Sequence, residues 1–197
     1  MRVGKDPRRQ VSREELESLR ATARQILESR LGRGPGGAQS TAYHEAGHAV
    51  AAYLLRRGIE YVSIRPRDGT LGRCIPTQIK RVDEEQKLLI IWAGTVAEGM
   101  MTGSFDLGSV DPDWDRLIDI GQQLCGDRER ATVYLCELGL ITEDTFTLPP
   151  VKAAVEALAQ QLLKRRFLMG RAARRVIRNA LRLEGGGGDG SAVVNAG

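Results

Sequence analysis

The only two histidines of this 197-residue chain, His44 and His48, lie four residues apart with Glu45 between them. On a helix, side chains at positions i and i+4 share one face, so two imidazoles at this spacing can bind one metal ion. Glu45 directly follows His44, which places its carboxylate within reach of a water molecule held by that metal. The residues therefore predict two metal ligands and one general base.

This arrangement is the H-E-x-x-H pattern, in which the metal is zinc and the glutamate is the general base of a metalloprotease. Two unrelated histidines would fall into this register only rarely in a chain that contains no others. The pattern therefore favours zinc as the cofactor, bound by His44 and His48, with Glu45 as the catalytic residue that activates the zinc-bound water.

The third zinc ligand is left open by the residues themselves, although a catalytic zinc usually has three protein ligands. With no third histidine, a carboxylate or a cysteine must serve, and no cysteine stands at a suggestive spacing. Glu98, at the end of an apolar helix, is one candidate. The stronger candidate is a cluster of alternating acids beside a turn, although aspartate is also favoured at helix starts. Its members are Asp111, Asp113 and Asp115.

The surrounding pattern predicts a mainly α (α+β) fold, in which a small β-hairpin or sheet lies beside the motif helix. The motif helix should run from about residue 39 to 57, with Gly58 as its C-cap. Two strands should follow at 59–65 and 71–77, the second at a sheet edge because it contains Pro76. Helices are predicted at 12–31, 83–101, 113–125, 127–138, 150–169 and 171–183.

The domain organisation predicted from composition has three parts. Residues 1–37 form an N-terminal helix and a flexible linker, 38–183 form the helical metallopeptidase domain, and 184–197 form a disordered glycine-rich tail. The longest uncharged apolar run, 88–97, is too short for a membrane span, and no secretory signal is visible. The three cysteines are odd in number and form no C-x-x-C pair, which indicates reduced thiols. A cytoplasmic location is therefore expected.

Several blocks of the sequence resemble the zinc peptidase domain of the FtsH-type ATP-dependent proteases. The first and most specific block is residues 41–50, T-A-Y-H-E-A-G-H-A-V. Weaker blocks follow in the order of that family. They are V-S-I-R-P-R at 62–67 with L-G at 71–72, A-G-T-V-A-E at 93–98 with T-G at 102–103, and D-W-D-R-L-I-D-I-G at 113–121.

The resemblance implies a zincin-like peptidase fold and assigns the third ligand. In that family an aspartate from a later helix completes the zinc site, and Asp113 matches it by position. The family also places an edge strand beside the cleft for substrate, which corresponds to residues 71–77. The chain departs from the family because it has no G-x-x-x-x-G-K-[ST] phosphate loop and no transmembrane anchor. It resembles the peptidase domain standing alone, without the AAA+ ATPase.

The leading hypothesis is an ATP-independent zinc metalloendopeptidase that hydrolyses unfolded or flexible polypeptides. The alternative is a non-catalytic, zinc-stabilised adaptor or binding module. Its basic C-terminal helix would dock acidic partners or nucleic acid, because residues 164–182 carry eight positive charges and no acid. A solvated or homo-oligomer-lining helix face is the preferred account of these charges, and nucleic-acid binding through Lys164–Arg182 is the less favoured one.

Overall fold

The structure is a computed structural model that describes residues 37–66, 72–76, 83–103 and 107–185. The predicted N-terminal helix, the linker and most of the predicted tail lie outside these residues. Within them the chain is mainly helical with one small antiparallel sheet, which confirms the predicted fold class. In chain order the elements are α1 (Ala38–Leu54), β1 (Ile59–Ser63), β2 (Arg73–Pro76), α2 (Glu84–Thr102), α3 (Leu107–Cys125), α4 (Arg128–Thr147), α5 (Pro149–Arg165), β3 (Phe167–Met169) and α6 (Gly170–Gly185).

Helix α1 carries the histidine motif and lies at the centre of the main core. Each of its residues from Ser40 to Ala52 is buried, and the helix contacts α2 on one side and α5 on another. Its small side chains allow this close packing. A Cβ atom on Gly47 would come within 2.7 Å of the Cβ of Ala97 and would overlap the Ala93 carbonyl, both on α2. The alanine- and glycine-rich sequence of α1 therefore brings the α2 backbone against the motif.

The three strands form one antiparallel sheet in the order β2-β1-β3. Val62 of β1 pairs with Cys74 of β2 on one side and with Leu168 of β3 on the other. Strand β2 lies at an edge, as the proline at its end requires, since proline has no N–H to donate. The strand β3 was not predicted from the sequence.

A second apolar cluster joins α2, α3 and α4, and it determines where α3 lies. Leu88 from α2, Leu117 from α3 and Leu138 from α4 are almost completely buried together. Burial of leucines of this kind stabilises the fold by about 1.5–3 kcal/mol per side chain. This cluster packs α3 against α2 and α4. No helix of the described residues has the length and apolar character needed to cross a bilayer.

Three helix boundaries differ from the predicted ones. Helix α1 ends at Leu54, and Arg56 rather than Gly58 takes the left-handed conformation. Helix α3 begins at Leu107 and includes Pro112, a residue that more often marks a helix start. The basic helix α6 extends to Gly185, two residues beyond the predicted domain end.

Two further helices differ from their predicted lengths. Helix α4 continues through Gly139 to Thr147, since Gly139 does not adopt the left-handed conformation that would end the helix there. Helix α5 stops at Arg165, because Arg166 is left-handed (φ 60°) and residues 167–169 join the sheet. A short apolar run of this kind fits a helix or a strand equally well in the sequence.

Candidate metal centre

The two histidines of the motif lie inside the protein and face each other on α1. His44 is 2% exposed and His48 is 9% exposed, and their rings make an edge-on contact with centroids 4.6 Å apart. Burial of two imidazoles is costly unless their nitrogens have partners. Each ring nitrogen of this pair has a partner in the structure.

Asp113 reaches the same point from helix α3. Its Oδ2 atom lies 3.0 Å from Nε2 of His44 and 3.0 Å from Nε2 of His48. The three side chains offer ligand atoms that all lie within 4.8 Å of one another. Tetrahedral zinc with bonds of about 2.0–2.1 Å requires neighbouring donor atoms about 3.3 Å apart, so both histidine–aspartate distances are within a few tenths of an ångström of the required spacing. The two nitrogens and one carboxylate oxygen therefore fit a zinc ion.

The remaining ring nitrogens of the two histidines are fixed by other groups. Nδ1 of His44 lies 3.0 Å from Oε2 of Glu98, and Nδ1 of His48 lies 2.7 Å from the carbonyl oxygen of Ile90. A carbonyl oxygen only accepts, so Nδ1 of His48 carries a hydrogen that it donates to Ile90, and Nε2 is the nitrogen left to face a metal ion. Such bonds orient metal-binding histidines and select their tautomer. Both Nε2 atoms are therefore turned toward Asp113.

Glu98, the other carboxylate considered as a third ligand, occupies a different place. It is completely buried, and it contacts the Nδ1 atom of His44 rather than joining the group formed with Asp113. This position suits a residue that orients His44. The side chains of Asp111 and Asp115 lie outside the described residues, so the roles of the acids as ligands stay predictions.

The electrostatics of the site favour a positive charge between the acidic groups. Burial lowers the pKa of His44, but hydrogen bonds with Asp113 and Glu98 outweigh it and raise the pKa to about 10. For Asp113 burial acts in the opposite direction, yet the neighbouring His48 and His44 hold its pKa well below the usual range. A site that stabilises a proton on buried imidazole in this way can exchange that proton for a metal cation.

Glu45 is buried beside the two histidines and keeps one carboxylate oxygen without a partner. It is 6% exposed, and its Oε2 atom has no hydrogen bond among the described residues. Burial raises the pKa of this carboxyl group, while His48 and His44 act in the opposite direction. A buried carboxylate oxygen without a partner is costly, so a water molecule or substrate proton is the expected partner.

The cysteines do not take part in the described site. All three are free thiols, and none belongs to the group formed by the two histidines and Asp113. Cys74 on β2 is close enough to Glu45 to feel its charge. Burial and then the charge of Glu45 raise the pKa of this thiol well above the ordinary value. A thiol held in its neutral form is a poor zinc ligand, because the thiolate is the form that binds metal.

Two contributions to the site were missed at the level of the sequence, and only the second leaves a signal in the residue types. One is the Ile90 carbonyl, because a backbone acceptor leaves no trace in the residue type. The other is Gly94, where a Cβ atom would lie 2.6 Å from Nε2 of His48. A glycine in the middle of an apolar helix is unfavourable by about 1 kcal/mol, and it therefore signals a close approach.

The described site is a group of two histidines and one aspartate that could hold a metal ion, and comparison with known proteins points to zinc metalloproteases at a coarse level. The chain is 38% identical over 95 residues to the ATP-dependent zinc metalloprotease FtsH of Pseudomonas putida, which covers 44% of this chain and 15% of that protein. It is 34% identical over 79 residues to FtsH of Haemophilus influenzae, covering 36% of this chain and 12% of that protein.

A third relative is the ATP-dependent zinc metalloprotease FtsH 4 of Sorangium cellulosum, 34% identical over 82 residues, or 36% of this chain. This chain spans only 12 to 15% of the length of these curated relatives. No protein-family model matches the chain. The chain therefore contains a region related to FtsH proteases. Its relation to zinc metalloproteases extends over that region of about 80 to 95 residues.

Proposed function

We propose that this chain is a zinc metallopeptidase that hydrolyses peptide bonds in unfolded or flexible polypeptides without using ATP. The observation that carries the proposal is the convergence of His44, His48 and Asp113, with Nε2 and Oδ2 atoms 3.0 Å apart. Glu45 lies between the two histidines in sequence and keeps a buried carboxylate oxygen without a partner. The zinc metalloprotease relatives support the same class of reaction.

Each side chain has a defined role in this proposal. His44 and His48 would hold zinc through Nε2 and Asp113 through Oδ2, with one position open. When bound, zinc lowers the pKa of water toward about 7 and polarises the scissile carbonyl. Glu45 accepts the proton of the attacking water at its carboxylate and returns it to the leaving amine nitrogen. Glu98 keeps the His44 ring in place during these transfers.

The edge strand β2 supports an extended polypeptide as the substrate. Gly72, the residue before β2, approaches Glu45 so closely that a Cβ atom there would lie 2.6 Å from Oε1 of Glu45. In the described sheet only one edge of β2 is paired, and a polypeptide that pairs with its other edge would therefore pass the proposed base. Only an unfolded or flexible segment can take that extended conformation, and peptide hydrolysis itself needs no ATP.

The test is cleavage of casein by the zinc-loaded chain and by its Glu45→Gln variant. Glutamine has the shape of glutamate but cannot take the proton, so the variant should keep one zinc per chain and lose about 10²–10⁴-fold in rate. Glu60→Gln, which changes an exposed glutamate on β1, serves as the matched control and should cleave like the parent. The parent rate should be the same with and without ATP.

Two results would count against the proposal. If Glu45→Gln cleaves casein as fast as the parent, Glu45 is not the base and the mechanism is wrong. If the parent holds zinc but cleaves neither casein nor a library of unstructured peptides, the chain is instead a non-catalytic, zinc-stabilised adaptor.

A further inference from the structure

The outer face of helix α6 carries a row of arginines that the peptidase proposal does not use. Ala173, Ile177 and Ala180 turn inward and are buried in the core, whereas the arginines lie on the opposite side of the helix and are exposed. We call these residues the arginine row: Arg171, Arg174, Arg175, Arg178 and Arg182. Each of them lies three or four residues from at least one other, which places all five along one face of the helix.

The arginine row is not neutralised within the described part of the chain. No described carboxylate lies within 4.0 Å of any of its guanidinium groups. Lys164, Arg165 and Arg166, at the end of α5, add three exposed positive residues just before this helix. The full chain has a calculated pI of about 9.2, so this face gives the protein a concentrated positive patch.

The row also lines a concave surface rather than a flat one. Tyr53, near the C-terminal end of α1, and four of the arginines line a groove of about 400 Å³. The groove thus combines planar guanidinium groups with one aromatic ring. Guanidinium groups bind phosphate oxygens in a two-pronged geometry, and aromatic rings stack on unpaired bases.

The aromatic ring in the groove distinguishes between polyanions. Arg182 lies eleven positions beyond Arg171, so the row is about 16 Å long. Phosphates and carboxylates can both pair with arginine, but acidic side chains have no aromatic face, whereas a nucleic-acid strand carries planar bases that can stack on Tyr53. A groove that combines four arginines with one aromatic ring therefore fits a single nucleic-acid strand more closely than an acidic polypeptide.

We propose that the groove of Tyr53 and the arginine row binds the phosphodiester backbone of single-stranded nucleic acid. Four arginines in the groove would each contact one phosphate, and the Tyr53 ring would stack on a base. The surface is independent of the zinc centre, so it would bind a strand whether or not the chain is a peptidase.

The experiment measures fluorescence anisotropy of labelled 12-nucleotide oligo-dT and oligo-U on addition of the full chain at 50 and 200 mM salt. Four phosphate contacts predict a slope of log affinity against log salt of about −2.8, or roughly 50-fold weaker binding at the higher salt. The Glu45→Gln variant should bind the same oligonucleotides equally well, which separates this proposal from the peptidase mechanism.

The variant Arg174→Gln with Arg178→Gln should halve the slope to about −1.4, so that the same salt step weakens binding only about sevenfold. The control Arg130→Gln with Lys152→Gln removes two exposed charges elsewhere and should keep the parent slope. Replacing Arg174 and Arg178 by lysine should also keep it, because lysine retains the charge. The parent slope is measured on the unchanged chain, so the proposal stays testable even if a variant folds poorly.

Three results would overturn the proposal. One is absence of oligonucleotide binding at 50 mM salt, and another is an equal loss of affinity in the control pair. The third is binding of polyglutamate or of vesicles containing phosphatidylserine as tightly as the oligonucleotides, which would make the row a general acidic-partner or membrane surface.

Discussion

Replacement of Gly94 by alanine should weaken zinc binding through His48 alone. The new Cβ atom would lie 2.6 Å from Nε2 and 2.8 Å from Nδ1 of the imidazole, whereas ordinary contacts begin near 3.5 Å. The ring must therefore move by about 1 Å. That shift would break the 2.7 Å hydrogen bond from Nδ1 to the Ile90 carbonyl. Loss of such an orienting bond costs about 10–100-fold in metal affinity, or about 1.4–2.8 kcal/mol.

The assay is a zinc titration in competition with a chromophoric chelator. Gly139→Ala is the matched control, because Gly139 is also inside a helix and its new Cβ would make only ordinary contacts of 3.4 Å with Trp92. Alanine should stabilise that helix by about 0.5–1 kcal/mol and leave zinc affinity unchanged. If Gly94→Ala binds zinc within twofold of the parent, the imidazole is not confined as the structure indicates and the reasoning fails.

Three further predictions concern the support of the site and the core. Glu98→Gln removes the charge behind His44 and should weaken zinc binding about tenfold in the same titration; an unchanged affinity would show that Glu98 does not orient His44. Leu158→Ala removes a completely buried side chain and should lower the free energy of unfolding in urea by about 2–5 kcal/mol, whereas Leu183→Ala at an exposed position should change it by less than about 0.5 kcal/mol. Burial raises the pKa of Cys136 from the usual 9.0 to about 11, so the folded state holds that proton more tightly. The stability it contributes is complete below pH 9 and is lost as pH rises through 11. Cys136→Ala should therefore lose less stability than the parent between these pH values, and superimposable profiles would refute the assignment.

The sequence was most informative where spacing alone determines geometry. His44 and His48 share a helix face because they are four residues apart, and the structure places both in the core beside each other. Asp113 could not be chosen over its acidic neighbours from chemistry, since all three lie in one short segment. Its selection needed the family resemblance, and the fold then brings it to the histidines through the packing of α3 against α2 and α4.

The fold was predictable in kind but not in its boundaries. Asp83 caps α2 as its residue type predicts, because its carboxylate accepts the N–H of Glu85 at 3.0 Å. Strand β3 was missed because its three residues gain their hydrogen bonds only from β1, a partner more than a hundred residues away in the chain. Long-range pairing of this kind overrides local propensity and leaves no periodic signal in the sequence.

The zinc content of the purified chain and of its Asp111→Ala, Asp113→Ala and Asp115→Ala variants tests the central claim most directly. After dialysis against buffer without metal, elemental analysis should find one zinc per chain in the parent, Asp111→Ala and Asp115→Ala proteins. The Asp113→Ala protein should hold almost none, because two histidines alone leave the ion with too few protein ligands. Full zinc retention by Asp113→Ala would contradict the proposed centre.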